Sequence, residues 1–297
     1  MNFNSLLGIF LFMCLNFNIQ GHNNSLKDTN SINKSRLILV SSTLATSMYA
    51  SYLYVNNSWW ANKQVAFHFD KGADFMYALN VDKAGHFMGG IQTADIFATS
   101  MRWAGMKNSL IYGAVYGTTL QFLIEMKDAY APYWGFSKWD LAFGSAGAIW
   151  PLAQYYSPAL NAIDFKFSYY KRSNIYWDLE RQRGKEASKY AWQDDYPNQT
   201  YWLSVDMHHF INADYWPEWL NLAVGFGLDD KQYLDNFNTK KGGSNEWYIA
   251  IDYDLPKMLK KWNSPTGKKV KHWLNYFHFP APTIRIAPKV EFYPLFL

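Results

Sequence analysis

The 297 residues contain one cysteine, Cys14. That excludes an internal disulfide framework and any zinc site built on several thiolates. Charge is thin too: 18% of residues are charged and the formal net charge is +4. The basic residues are scattered rather than gathered into a stripe, so the chain has no electrostatic footprint for nucleic acid. No GxSxG, HExxH, Walker or dinucleotide fingerprint occurs, which turns the reading away from an enzyme. Internal repeats and low-complexity tracts are also missing. What abounds is aromatic: 19% of the chain, with 14 Trp and 22 Tyr. Both residues favour places where one end is wet and the other apolar, such as interfaces and membrane belts.

Residues 1–21 have the shape of a secretory signal: an apolar run at 6–15, then polar residues, then a small Gly21. The segment before the run has no Lys or Arg. Met13 is too large for the position before Cys14 in a lipoprotein box, so cleavage is expected over lipidation. Residues 22–35 are Asn/Ser-rich and read as a linker. The expected location is exported: periplasm or cell envelope, membrane-associated.

Residues 36–162 read as a bundle of about four apolar helices. "LILVSSTLATSMYASYLYV" (37–55) and "NSLIYGAVYGTTLQFLI" (108–124) carry no charge. A helix beginning near Asp82 and running to about Trp103 lies between them. "LAFGSAGAIWPLAQYY" (141–156) follows, with Pro151 expected to kink or end it. Each segment is near the length needed to cross a bilayer. Gly85 and Gly89, then Gly113 and Gly117, recur at the spacing that lets helix backbones approach closely. A membrane bundle and a soluble bundle with buried helices both fit.

Residues 163–297 are strand-like, and α+β is the expected fold class, with a small antiparallel aromatic-rich sheet and short helices. In "EWYIAIDYDL", Trp247, Ile249, Ile251, Tyr253 and Leu255 share one face, and Glu246, Asp252 and Asp254 the other. Alternation of this kind predicts a strand with one buried face. "DFKFSYYK", "TYWLSVDM" and "LNLAVGFGL" repeat the theme. The tail from 283 to 297 reads as an edge strand because of Pro288 and Pro294. "PKMLKKWN" and "KKVKHWLNYFHF" read as short basic amphipathic helices. About five strands are too few for a closed outer-membrane barrel.

The charged residues inside the apolar half form stripes. Asp82 and His86 stand at i and i+4 of one helix, with Lys83 between them. Gln121, Glu125 and Asp128 share a face of the next, as do Asp140, Gly144 and Gly147 of the third. Such groups facing lipid are costly, roughly 2.5–3.5 kcal/mol each at a helix centre, so they must sit at helix ends or face one another. His86, Glu125 and Asp140 form the candidate catalytic cluster, with Asp82, Lys83, Asp128 and Ser137 around it. Two chemistries fit: acid–base work by His86 beside a carboxylate, or a divalent metal held by His86 with Glu125, Asp128 or Asp140. Each residue also has a structural reading: Asp82 as a helix N-cap, Ser137 and Asp140 as a capping box, Glu125 and Lys83 as an ion pair. His208 and His209 read as surface residues, and "NQT" at 198–200 matches a glycosylation sequon.

"DKAGHF", "EMKDAY" and "SKWDLAFGSAGA" together resemble the YfiM-like family of bacterial periplasmic or envelope proteins, whose function is unknown. "DDYPNQTYWLSVDM" and "WPEWLNLAVGFG" are similar to its longer members. A second similarity is to VanZ-like membrane proteins, at Asp82, Lys83, His86, Glu125, Ser137 and Asp140. Where those chains tend to have an Arg before the serine, this one has "AYAPYWGF". The resemblance implies location and architecture and adds no reaction. The expectation is an envelope protein that is structural or binds membrane lipid or other envelope components. The alternative is a membrane-proximal hydrolase or metal-dependent enzyme acting on lipid or cell-wall precursors.

Overall fold

A computed structural model describes residues 32–58, 64–72, 75–76, 78–132, 134–183, 194–211 and 215–297. The expected signal at 1–21 and most of the 22–35 linker lie outside the described residues. The elements in chain order are helices α1 (Lys34–Ser58), α2 (Val81–Trp103), α3 (Ser109–Asp128) and α4 (Lys138–Tyr156), then strand β1 (Ile163–Tyr169) and helix α5 (Ile175–Gln182). Next come β2 (Gln199–Val205), α6 (Met207–Phe210), β3 (Leu220–Leu228), β4 (Gln232–Leu234), β5 (Lys240–Gly242) and β6 (Asn245–Tyr253). The chain closes with α7 (Leu255–Met258), α8 (Pro265–Leu274), β7 (Ala281–Ala287) and β8 (Glu291–Phe296). The class is α+β, helices first and an antiparallel sheet after.

Two compact units divide this chain. One comprises residues up to Lys71, Gly89–Tyr156 and Trp262–Val270; the other comprises Gly72–Met88, Ser157–Lys261 and Lys271–Leu297. No helix among the described residues is long and apolar enough to cross a membrane, although the lengths alone had allowed it.

The helical unit packs through small residues. A Cβ on Gly90 would lie 2.1 Å from the Gly144 carbonyl oxygen, and one on Gly113 would lie 2.5 Å from that of Ala94. At these points α2, α3 and α4 touch backbone to backbone, an approach that only glycine permits. Gly85 was expected to join this row. Instead its open position faces the Tyr201 hydroxyl, 2.9 Å from where a Cβ would stand, within the sheet unit. Pro151 stays inside α4 without ending it.

The main sheet has six strands in the order β1-β2-β3-β6-β7-β8, all antiparallel; β4 and β5 form a separate ribbon. The tail read as one edge strand is a hairpin: β7 pairs with β8, and β8, holding Pro294, is the edge. β6 ends at Tyr253; Asp254 instead caps α7, its carboxylate accepting the Lys257 backbone N–H at 2.8 Å. The "KKVKHWLNYFHF" helix stops at Leu274, which leaves His278 to enter the sheet's interior.

Alternation in the strands is as expected, but its polarity is reversed. In β6 the buried row is Glu246, Tyr248, Ala250 and Asp252, whereas Trp247 and Ile249 are 43% and 45% exposed. The concealed side holds a charged network. Asp252 accepts a bond from Ser204 Oγ at 2.6 Å, faces His278 Nδ1 at 2.9 Å and pairs with Lys166 Nζ at 2.5 Å. Burial alone would raise the Asp252 pKa, but the His278 bond and the Lys166 charge outweigh it and hold the carboxyl below its usual range. Nearby, Glu246 pairs with Arg172 and, at 2.8 Å, with Arg285. Trp202 fills the middle of this side, stacked on His278 with ring centroids 3.9 Å apart. Its indole leaves no room for a side chain at Gly225 on the neighbouring strand.

Candidate functional site

The polar stripes of the helices converge. One ligand atom each from His86, Glu125 and Asp140 lies within 4.8 Å of the others. The carboxylates are buried, 1% and 6% exposed, and His86 is half-buried. The boundary between the two units falls inside α2, between Met88 and Gly89. His86 is therefore placed by the hydrogen-bond ladder of a continuous helix, one turn before Gly90, where that helix meets Gly144 of α4.

Local sequence explains how the carboxylates are aimed. Ser137 stands just before α4, and its Oγ accepts the Asp140 backbone N–H at 3.2 Å, the first half of a capping box. In a closed box the acid three residues on would take the serine's own N–H. Here that N–H donates to Glu125 Oε2 of α3, at 2.9 Å. The bond ties the end of α3 to the start of α4. It fixes the Glu125 carboxylate, while the cap fixes the backbone that carries Asp140. Gln121, one turn before Glu125, lies against Gly144, where a Cβ would meet its side chain at 2.5 Å.

The other sequence candidates fall differently. Asp82 sits in the first turn of α2, one residue inside the helix start rather than before it. It is paired with Lys83 at 2.8 Å, both 3% exposed. Its charge and, more strongly, burial raise the pKa of Tyr201 in the same unit. Asp128, proposed as a metal ligand, is the last residue of α3 and is outside the His86–Glu125–Asp140 group. His208 and His209 lie on the short helix α6, not on a strand. Asn198 is no glycan acceptor: it is 4% exposed, and its amide donates to the Ser173 carbonyl at 2.8 Å and to Asp195.

Sequence reasoning missed His278 and its partners Lys166, Ser204 and Asp252. His278 reads as the end of an amphipathic helix, and the other three lie on faces that alternation assigned to solvent. The available signal was that every strand of the sheet carries a polar or small residue in the same row.

One imidazole nitrogen and two carboxylates in reach of one another can ligate a divalent cation or pass a proton. No family model matches this chain, nor does any curated protein or any solved structure.

Proposed function

We propose that His86, Glu125 and Asp140 hold a divalent metal ion, and that the protein is a membrane-proximal hydrolase acting on lipid or cell-wall precursors. The observation that carries this reading is the approach of the three ligand atoms to within 4.8 Å on three different helices. A mixed nitrogen and oxygen set suits zinc, manganese or iron(II). Three protein ligands leave a coordination position for water, whose pKa a catalytic zinc lowers to about 7. Glu125, anchored by the Ser137 N–H, is the positioned ligand, and His86 is the one nearest solvent. The VanZ-like motif resemblance covers the same three positions and belongs to this proposal.

The test is metal analysis of the purified full chain after equilibration with Zn²⁺ or Mn²⁺, beside His86→Ala, Glu125→Gln and Asp140→Asn. The expected result is about one ion per native chain, as for a three-ligand catalytic site, and its loss in each variant with the circular dichroism unchanged. A native chain that retains no ion sinks the metal reading. Bound metal without hydrolysis of lipid-linked substrates sinks the enzyme reading.

A second reading, a non-enzymatic envelope protein that contacts membrane lipid, is favoured by one observation. α3 buries Ser109, Gly113, Ala114 and Gly117, while Ile111, Tyr112, Val115, Phe122 and Leu123 are 42–60% exposed. The apolar character of the bundle and the aromatic character of the sheet belong to this reading.

A further inference from the structure

At the junction of α3 and α4 a capping box has changed partners. In a closed box the acid three residues after the cap accepts the cap residue's own N–H. Asp140 holds that place, but the Ser137 N–H donates to Glu125 Oε2 of the other helix, at 2.9 Å. Ser137 Oγ still accepts the Asp140 N–H, at 3.2 Å. The exchange acts twice on the His86–Glu125–Asp140 group. It leaves the Asp140 carboxylate to the group instead of the cap. It also commits one Glu125 oxygen to a backbone donor, which no side-chain rotation can withdraw.

A carboxylate binds a cation through one oxygen or through both. A donor on one oxygen draws negative charge to it and fixes the plane of the carboxylate, so the other oxygen becomes the ligand. Hydrogen-bonded carboxylates of this kind are the usual outer shell of a metal site. Burial then limits the water. Glu125 and Asp140 are almost fully buried, and His86 is half-buried. A six-coordinate ion such as Mn²⁺ or Mg²⁺ on three one-atom ligands carries three waters. A tetrahedral zinc carries one, in the position where water is activated.

From this geometry we infer that Ser137 is the specificity-determining residue of the metal site: its N–H makes Glu125 a one-oxygen ligand, and the site takes a four-coordinate zinc ion rather than a six-coordinate manganese or magnesium ion. The inference rests on the metal reading above and narrows it. Ser137 is a positioning residue, acting through Glu125.

The test loads the full chain with Co²⁺, whose visible bands report the geometry that zinc hides. The strong bands of a four-coordinate ion are expected, and the weak bands of a six-coordinate one overturn the inference. Two variants then separate the N–H from the hydroxyl. Ser137→Ala keeps the backbone N–H and loses the cap; Ser137→Pro loses both. The preceding Phe136 is bridged to Phe69, a β-like conformation that suits a following proline. Ser137→Pro is expected to bind zinc about ten- to a hundredfold more weakly than Ser137→Ala, with its cobalt bands altered as Glu125 is released. Equal zinc affinity and equal bands in the two variants overturn the inference. Should Ser137→Pro not fold by circular dichroism, the native cobalt spectrum decides alone. A native chain that holds neither cobalt nor zinc sinks the metal reading and this inference with it. One that holds six-coordinate cobalt keeps the metal reading and sinks this inference only.

Discussion

In the helical unit α2, α3 and α4 meet backbone to backbone, Gly90 against Gly144 and Gly113 against Ala94, beside an apolar cluster of Val40, Leu44 and Met101. In the sheet unit the interior sets charge beside the apolar cluster of Trp202, Tyr248, Ala223 and Ala250: Lys166, Asp252 and His278 in one knot, Glu246 between two arginines in another. Both units put much of their apolar bulk on the outside, yet they hold together by different physics. Glycine contacts are geometric and indifferent to pH. Buried ion pairs are costly to desolvate and collapse if one partner is removed. The two regions should therefore break under different substitutions.

The largest effect belongs to the sheet. Asp252→Ala leaves Lys166 and His278 facing each other without their shared acceptor, and should cost about 3–5 kcal/mol in urea unfolding of the sheet unit. Next is Gly90→Ala. Its methyl would meet the Gly144 oxygen at 2.1 Å and the Ala148 nitrogen at 2.8 Å, backbone atoms that cannot rotate away. A loss of about 1–3 kcal/mol is expected by thermal unfolding. If Gly90→Ala is neutral, the backbone-contact account of the bundle is wrong.

A smaller effect separates the units by pH. The Asp252 carboxyl ionises more readily folded than unfolded. Its contribution is therefore present above the ordinary aspartate value of about 4 and is lost as pH falls through the lower folded value. Denaturant midpoints measured down that range should decline in the native chain and less steeply in Asp252→Asn, whereas Gly90→Ala should follow the native slope. The smallest effect tests the shared feature. Val115→Asn on α3 and Val224→Asn on β3, at 60% and 41% exposure, should each change stability in detergent-free buffer by no more than about 0.5 kcal/mol.

Helical periodicity made the cluster legible. Glu125 follows Gln121 by one turn, Asp140 precedes Gly144 by one turn, and His86 falls on the Asp82 stripe, so three polar faces could be drawn before any coordinates. Asp128 shares the Glu125 face by the same arithmetic but is the last residue of α3 and is not one of the three whose ligand atoms come together. The sheet was legible in its period and illegible in its sense. Alternation in β6 says that Trp247 and Ile249 share a side; it cannot say which side is covered, because that depends on groups distant in sequence, Trp202 on β2 and His278 beyond α8. The expectation that the apolar row is buried is a rule about water, and this sheet does not follow it. The hairpin at Pro288 was hidden because a proline inside a run signals an edge equally well.

Of the three side chains gathered at the start of α4, only the imidazole meets solvent. In the metal site proposed above, the ring is therefore the ligand that a cation arriving from water meets before either carboxylate, and the two acids behind it complete the set.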